Sequence, residues 1–563
     1  MPSIIVRNYP AQAAAQLVAA GIHPVLARIF AARGIERREQ LEYALEDLLP
    51  PDRLQNSAAM ACLLADAIAG GKRLLIVADY DSDGATACAV AVRGLRACGA
   101  TVDFLVPNRF DYGYGLTPEI VRLAAGMQPD IIITVDNGIA SVEGVEEALR
   151  LGIEVLVTDH HLPGDVLPRA ACIVNPNQYG CDFPSKSLAG VGVMFYVLLA
   201  LRAEMRKRGC FDGGSEPGMA ALLDLVALGT VADVVRLDDN NRILVEHGLR
   251  RIRAGKGCAG INALLKIAGR DMNRTSAFDL GFAVAPRLNA AGRLEDMSLG
   301  IACLLSDDMD EAARMAQRLD ELNRERRGIE ADMHDGALVA LDEVDIGDRF
   351  SLSMFDAGWH QGVIGILASR LKDRYHRPVI AFAPAGNGEL RGSGRSIAGL
   401  HLRDALDLVS KRHEGLLRRF GGHAMAAGMT ISEADFERFS TVFEQVVRDL
   451  LTPADLQAVI ETDGVLAATE ANLQLAQALD CQVWGQGFAA PVFHGEFGVT
   501  EQRVVGERHL KLRLHADGRQ FEAILFNQDA LLPSRIRAVY QLQVNDYNGT
   551  QKAQLTLRHW EIP

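Results

Sequence analysis

Five short apolar runs constrain the fold of this 563-residue chain more than any other feature: RLLIVA at 73, TVDFLV at 101, DIIITV at 130, EVLVT at 154 and ACIVN at 171. Each has the length of a strand, and helical stretches separate them. Alternating strands and helices predict a parallel sheet with helices on both faces. In such sheets functional groups collect at the carboxyl ends of the strands. Here those ends carry Asp79-Tyr80-Asp81-Ser82-Asp83-Gly84 after the first run, Asp136-Asn137-Gly138 after the third and Asp159-His160-His161 after the fourth. Asp233 adds a further carboxylate near the end of the apolar helix LLDLVALGTVADVV. One aspartate after a strand is ordinarily a helix cap. Three such ends, one with two histidines, exceed what capping requires and point to a shared ligand.

The spacing of Asp79, Asp81, Asp83 and Gly84 imitates the start of a calcium loop. The twelfth position of that loop, which an EF-hand fills with glutamate, is Val90 here, and a strand instead of a helix precedes it, so this class is excluded. Carboxylates with one or two imidazoles suit Mg²⁺ or Mn²⁺ better than Zn²⁺. The nine cysteines are scattered singly with no CxxC pair, which argues against a thiolate zinc site and for a reducing compartment. Five or six candidate ligands exceed the needs of one ion. Two divalent ions sharing a carboxylate would use them, and such pairs suit in-line attack on phosphate esters. Adjacent His160 and His161 cannot point the same way from extended backbone. One is therefore expected as a ligand, the other as a phosphate contact or proton donor.

A net charge of −14 does not suggest a protein that coats nucleic acid by bulk charge but leaves room for a local basic groove. The N-terminal MPSIIVRNYP lacks a signal-peptide pattern, and the longest apolar run, Val191 to Leu201, is too short to span a bilayer. A cytoplasmic protein without a membrane partner is expected. The length implies three or four domains.

The second half offers anion-binding features. From about Phe350 a new α/β domain is expected. GELRGSGRS reads as a glycine-rich turn that can present Ser393, Arg395 and Ser396 to a phosphate. FGGHAMAAGM adds Gly421, Gly422 and His423, whose small neighbours admit close approach. Arg109, Arg287 and Arg293, flanked by Asn, Gly or Pro, are expected in loops, at least one of them gripping a phosphate. Residues 310–343 place Met315, Leu319, Leu322, Ile329 and Met333 at helical spacing, a long helix with RERR on a solvated face. HLKLRLH alternates strictly, with Leu510, Leu512 and Leu514 on one side and Lys511 and Arg513 on a cationic front. Such a strand suits a small barrel that binds single strands.

The motifs DYDSDG, VDNG, TDHH and GTVADVV, together with GWHQGVIGILASRL, RGSGRS and FGGHAMAAG, resemble the DHH phosphoesterases and their associated domain. VPNRFDYGYGL and APRLNAAGR extend the likeness over almost the whole chain, toward the branch of bacterial single-strand exonucleases. The resemblance implies an α/β fold: an N-terminal helical segment (1–50), a parallel-sheet DHH domain (51–270), a helical connector (271–345), a DHH-associated α/β domain (346–454) and an OB-like β-barrel (455–563). It implies 5′→3′ digestion of single-stranded DNA to 5′-mononucleotides with two Mg²⁺ or Mn²⁺ ions. It also implies work in recombination and repair, with single-strand binding protein and a DNA helicase as partners, and a monomeric state. By the same likeness Asp81, Asp83, Asp136, His160 and Asp233 match metal ligands, Asp136 bridging. Asp79 and His161 lie close to the metals, and Asp159 orients the imidazoles. Many members of the wider superfamily carry a histidine where this chain has Val77; the exonuclease branch commonly lacks it.

Overall fold

The computed structural model describes every residue except 1, 108–114, 213, 215, 343–345, 347, 507–508 and 548. The described residues divide into two units, one of Val6–Asp320 with Glu461–Pro563, the other of Met1–Ile5 with Glu321–Ile460.

In the first unit the five apolar runs form one parallel sheet, in the order Thr101–Leu105, Arg73–Ala78, Ile131–Val135, Glu154–Thr158, Cys172–Val174. Helices Pro118–Ala125 and Val142–Arg150 cover one face, laying Ile120, Val121, Val145 and Ala148 over Leu75, Val77, Ile132, Val155 and Val157. Helix Ser82–Ala97 packs on the sheet and against helices Gly190–Lys207 and Leu223–Ala232, and its residues from Ser82 to Val92 are buried. Burial on both faces is why the three central strands, Arg73–Ala78, Ile131–Val135 and Glu154–Thr158, read as nearly unbroken apolar runs. The apolar run from Val191 lies inside the buried helix Gly190–Lys207, and no described helix is long and apolar enough to cross a membrane.

The register decides where the acidic residues fall. Ala78 pairs with Val135, Val135 with Thr158 and Thr158 with Val174. The next rung therefore consists of Asp79, Asp136, Asp159 and Asn175. The ladder still holds there: Asp136 N–H donates to the Thr158 carbonyl at 3.0 Å and Asp159 N–H to that of Val174 at 3.1 Å.

The same unit holds a closed barrel in the order Phe493–Val505, His509–Ala516, Arg519–Phe526, Thr550–Glu561, Arg535–Tyr547. Leu510, Leu512 and Leu514 point into it, as the alternation predicts. Arg33 and Asp463, both buried, form a two-pronged ion pair at 2.7 and 3.0 Å that ties the N-terminal helices to the segment leading into the barrel. Residues 1–50 carry helices Ala11–Ala19 and Pro24–Ala31 and also a strand, Ser3–Val6.

The second unit contains a mixed five-stranded sheet, in the order Arg419–Gly422, Ala426–Ser432, Glu389–Arg395, Val379–Gly386, Leu352–Phe355. One helix, Met309–Asp342, runs from the first unit into the second, with Leu319, Leu322 and Met333 buried. RERR is not wholly a solvated face: Arg326 is buried, its guanidinium on Glu330 (3.0 Å) and Asn323.

ELRGSGR is a central strand, not the glycine-rich turn expected from its composition. Its glycines serve close packing: a Cβ on Gly392 would stand 2.5 Å from the Phe382 ring, and one on Gly394 2.8 Å from Leu402. Strand alternation then puts Arg391, Ser393 and Arg395 together on the opposite face. Ser396 turns inward and donates to the Leu400 carbonyl at 2.9 Å. Gly392→Ala should lower the stability of this unit by about 1–3 kcal/mol, the usual cost of overpacking a core. Urea denaturation followed by tryptophan fluorescence would measure it, and an unchanged midpoint would refute the packing role.

Candidate metal centre

Each carboxylate at the sheet edge is held by a different backbone device. Asp81 caps helix Ser82–Ala97, its Oδ1 accepting from the N–H groups of Asp83 (2.9 Å) and Gly84 (3.0 Å). Asp83, buried, accepts from the N–H of Gly190 at 2.7 Å and of Val191 at 2.9 Å, at the start of helix Gly190–Lys207. Asp136 leaves its strand with φ of +62°, a left-handed conformation that costs an ordinary residue energy and collects at functional sites. Asn137 fastens that turn, its side-chain amide donating to the carbonyls of Val77 (3.1 Å) and Val135 (2.9 Å). Asp233 follows helix Leu223–Ala232 and remains partly exposed.

Asp159 plays another part. Its Oδ2 accepts from Ile139 N–H at 2.9 Å, and its Oδ1 accepts from the backbone of His160 and His161 and lies 2.7 Å from His161 Nδ1. The two imidazoles do not point apart as extended backbone would require: the chain has left its strand at Thr158, and the two rings lie side by side with centroids 4.6 Å apart and planes 59° from parallel, each offering a nitrogen to the cluster around Asp136. His160 Nε2 lies 3.1 Å from Asp136 Oδ1, 3.5 Å from Asp233 Oδ2 and 3.8 Å from Asp83 Oδ2.

Three clusters of candidate ligand atoms result: Asp79, Asp81 and Asp136; Asp136, His160 and His161; Asp83, His160 and Asp233. Asp136 and His160 each belong to two of them, so the clusters are continuous. Burial, and then the charge of Asp81, pushes the Asp83 carboxyl up to about 7. Burial and neighbouring aspartates raise Asp136 and Asp233 well above the usual carboxylate range. Burial opposes a charge on His161, but its hydrogen bond to Asp159 and the carboxylates around it lift it to about 9. Oxygen-rich donors with one or two imidazoles, crowded until they repel, fit two hard divalent cations. The space is closely shaped: a Cβ on Gly190 would stand 2.5 Å from Asp136 Oδ1, and one on Gly229 3.0 Å from Asp83 Oδ1.

Several residues of this centre escape the motif reading. Asn175 donates to the His161 carbonyl at 2.9 Å, and Asn177 to that of His160 at 2.6 Å, fixing the loop that carries both imidazoles. The signal for Asn175 is its place on the same rung as the aspartates. Asn289 Oδ1 accepts from Ser82 N–H at 2.8 Å; it lies in APRLNAAGR, a stretch singled out in the sequence for its arginines and not for this residue.

The anion-binding candidates divide. Arg109 lies outside the described residues. Arg287 and Arg293 occupy helix Ala285–Leu294, not loops. Pro286 sits in the first turn, where a missing N–H costs nothing, and Gly292 lies so close to the Tyr80 carbonyl that a Cβ would come within 2.0 Å of it. Arg287 is held by Asp320 at 2.8 Å and donates to the Ala283 carbonyl, and Arg293 is half-buried. Lys511 and Arg513 stand on the outer face of the barrel as expected, but Arg513 pairs with Glu501 at 2.6 Å and Lys511 lies 3.9 Å from Glu522.

In the second unit Arg395 donates to Ser393 Oγ at 3.3 Å and to the Gly394 carbonyl at 2.8 Å, with no carboxylate in ion-pair reach among the described residues. Burial pushes its guanidinium below the usual arginine range. Gly422 has φ of +141° and precedes the exposed tip of a hairpin that bears His423.

Comparison with known proteins gives three family matches: the DHH family N-terminal domain over residues 73–230, the DHHA1 domain over 347–449 and the RecJ OB domain over 462–559. The chain is 49% identical over 552 residues to the single-stranded-DNA-specific exonuclease RecJ of Salmonella typhimurium, covering 96% of each. The crystal structure of Thermus thermophilus RecJ with Mn²⁺ superposes with a TM-score of 0.82 at 31% identity, over 100% of this chain and 79% of that one. The same protein with Mg²⁺ gives 0.77 at 29%, over 100% and 78%.

Raised carboxyl values make a pH prediction for metal-stripped protein. A group whose folded value exceeds its unfolded value of about 3.9 stabilises the fold below that pH, and loses this as pH rises through the folded value. With Asp83 near 7, the melting temperature in EDTA should fall by several degrees between pH 5 and 8. Added Mn²⁺ should raise it more at pH 8 than at pH 5, because metal must displace protons at the lower pH. Equal Mn²⁺ shifts at both pH values would contradict this.

Proposed function

Since the chain belongs to the RecJ family of single-stranded-DNA-specific exonucleases, we propose that it is a divalent-metal-dependent exonuclease that removes 5′-mononucleotides from the 5′ end of single-stranded DNA in recombination and repair. The observation that carries this reading is the continuity of the metal clusters through Asp136 and His160. Asp79, Asp81 and Asp136 would hold one Mg²⁺ or Mn²⁺, and Asp83, His160 and Asp233 the second, with Asp136 reaching both. Two such ions supply positive charge to the phosphodiester in its transition state and ease ionisation of the attacking water.

The chain's own groups orient and carry protons. Asp159 fixes the His161 ring through Nδ1, which directs Nε2 away from it. That nitrogen suits a phosphate oxygen, or proton delivery to the departing 3′ oxygen. Arg395 and Ser393 form an anion site of the kind a 5′-terminal phosphate fills: a guanidinium removed from water, beside a hydroxyl, with no carboxylate among the described residues to neutralise it. Gly422, His423, Arg287, Arg293 and Arg109 are further phosphate contacts in this proposal, and Lys511 and Arg513 contact the strand from the barrel. The ion pairs those two make are exposed and weak enough to exchange for phosphates. Partnership with single-strand binding protein and a helicase, and a monomeric state, complete the proposal.

A small-substrate phosphodiesterase of the DHH family would have no use for the barrel, and a scaffold without catalysis would have no need of the complete ligand set. The direct test offers 5′-labelled single strand, 3′-labelled single strand and blunt duplex, each with EDTA, Mg²⁺ or Mn²⁺. Early release of the 5′ label as mononucleotide, from single strands and with metal alone, is expected. Strand binding without cleavage under every condition would sink the enzyme reading. Asp136→Ala should cut kcat by about a thousandfold or more, as loss of a shared ligand impairs both ions. Arg395→Ala should raise KM for a 5′-phosphorylated strand by roughly 10- to 100-fold, the worth of one charge-assisted contact, and change KM for a 5′-hydroxyl strand little. Equal effects on the two strands would remove Arg395 from the phosphate site.

A further inference from the structure

The segment Ser276–Val284 carries two phenylalanines with no part in the metal centre. Phe278 and Phe282 are 53% and 70% exposed, and they stack on each other with centroids 4.5 Å apart and planes 21° from parallel. Leu280, Ala283 and Val284 of the same segment are buried, so packing is already satisfied without the two rings. Leaving two large aromatic faces in water forgoes burial energy and ordinarily marks a contact surface. From Leu280 to Val284 the helix widens to the π form, a distortion that recurs at functional sites.

The position of the pair indicates what it contacts. Gly281, between the rings in sequence, lies against Val231, so that a Cβ on it would stand 3.1 Å from Val231 Cγ1. Val231 is two residues before Asp233. At the other end of the segment Arg274 binds Asp546 of the barrel strand Arg535–Tyr547 at 2.7 Å. The rings thus stand on the stretch of chain that links the barrel to the helix bearing a candidate ligand. Arg270 and Arg274 precede them in the chain, engaged in partly exposed pairs with Asp279 and Asp546.

We propose that Phe278 and Phe282 form a stacking platform for bases of the substrate strand between the barrel and the metal centre. The proposal rests on the reading that the chain acts on single-stranded DNA, and it adds a reason for that preference. A π-face accepts any base, but only one freed from its partner and its stack. Arg270 and Arg274 would take the adjoining phosphates, exchanging one weak ion pair for another.

The test compares full-length wild type, the double variant Phe278→Leu/Phe282→Leu, which keeps apolar bulk, and Phe282→Trp, which keeps an aromatic face. KM and kcat are measured with Mn²⁺ on a twenty-nucleotide single strand and on the same strand with abasic residues downstream of the first few nucleotides. The double Leu variant should raise KM about 10-fold or more, the usual effect of losing base stacking, with kcat little changed, and Phe282→Trp should match wild type. Abasic residues should raise KM for wild type and leave the double variant nearly unaffected. The salt dependence of KM should keep its slope, because phosphate contacts are retained. An unchanged KM, or equal abasic effects in both proteins, would overturn the platform. So would a change confined to sedimentation, which would assign the rings to a second copy of the chain. Wild type that fails to digest single strands would refute the exonuclease reading itself, a result separate from any behaviour of the variants.

Discussion

Mutual repulsion among buried carboxylates is the constraint around which the first unit is arranged. Asp79, Asp81, Asp83, Asp136 and Asp233 converge on one edge of a sheet, and Asp83 and Asp136 have almost no contact with water. An isolated carboxylate in such surroundings would take up a proton. Here two devices offset the cost. Backbone N–H groups at helix starts serve Asp81 and Asp83, where the helix dipole favours negative charge. Two imidazoles, one held by Asp159, supply part of the rest. What these leave uncompensated is the charge that divalent cations answer.

The register of the sheet gives that repulsion its geometry. Parallel pairing brings the strand ends level, and three aspartates then step off together. This much was legible in the sequence, because apolar runs mark strands and the residues after them mark strand ends. Asp79, Asp81, Asp83, Asp136, Asp159, His160 and His161 fall at one edge for that reason, and Asp233 joins them from the end of helix Leu223–Ala232. Chemistry that depends on distant partners was not legible. Asn289 meets Ser82 from 207 residues away, and Gly190 is required by an Asp136 oxygen that no local pattern foretells.

Misread segments share one physical cause, the double meaning of glycine and proline. In ELRGSGR the glycines make room for Phe382 and Leu402, so a strand looks like a turn. In APRLNAAGR a first-turn proline and a glycine pressed against Tyr80 make a helix look like a loop. Small residues announce that something comes close, and only the partner decides whether it is a ligand, a ring or a backbone carbonyl. A strand projects Arg391, Ser393 and Arg395 from one face with a precision that a mobile turn lacks.

Asp83 accepts from the first N–H groups of helix Gly190–Lys207, more than a hundred residues along the chain. It is therefore a fastener of the buried helical layer as well as a candidate ligand. During synthesis the ligand set cannot take its final shape until that distant helix has been made and has docked. An ion captured earlier would find a partial cage with the wrong spacing. Docking of that helix thus precedes completion of the ligand set.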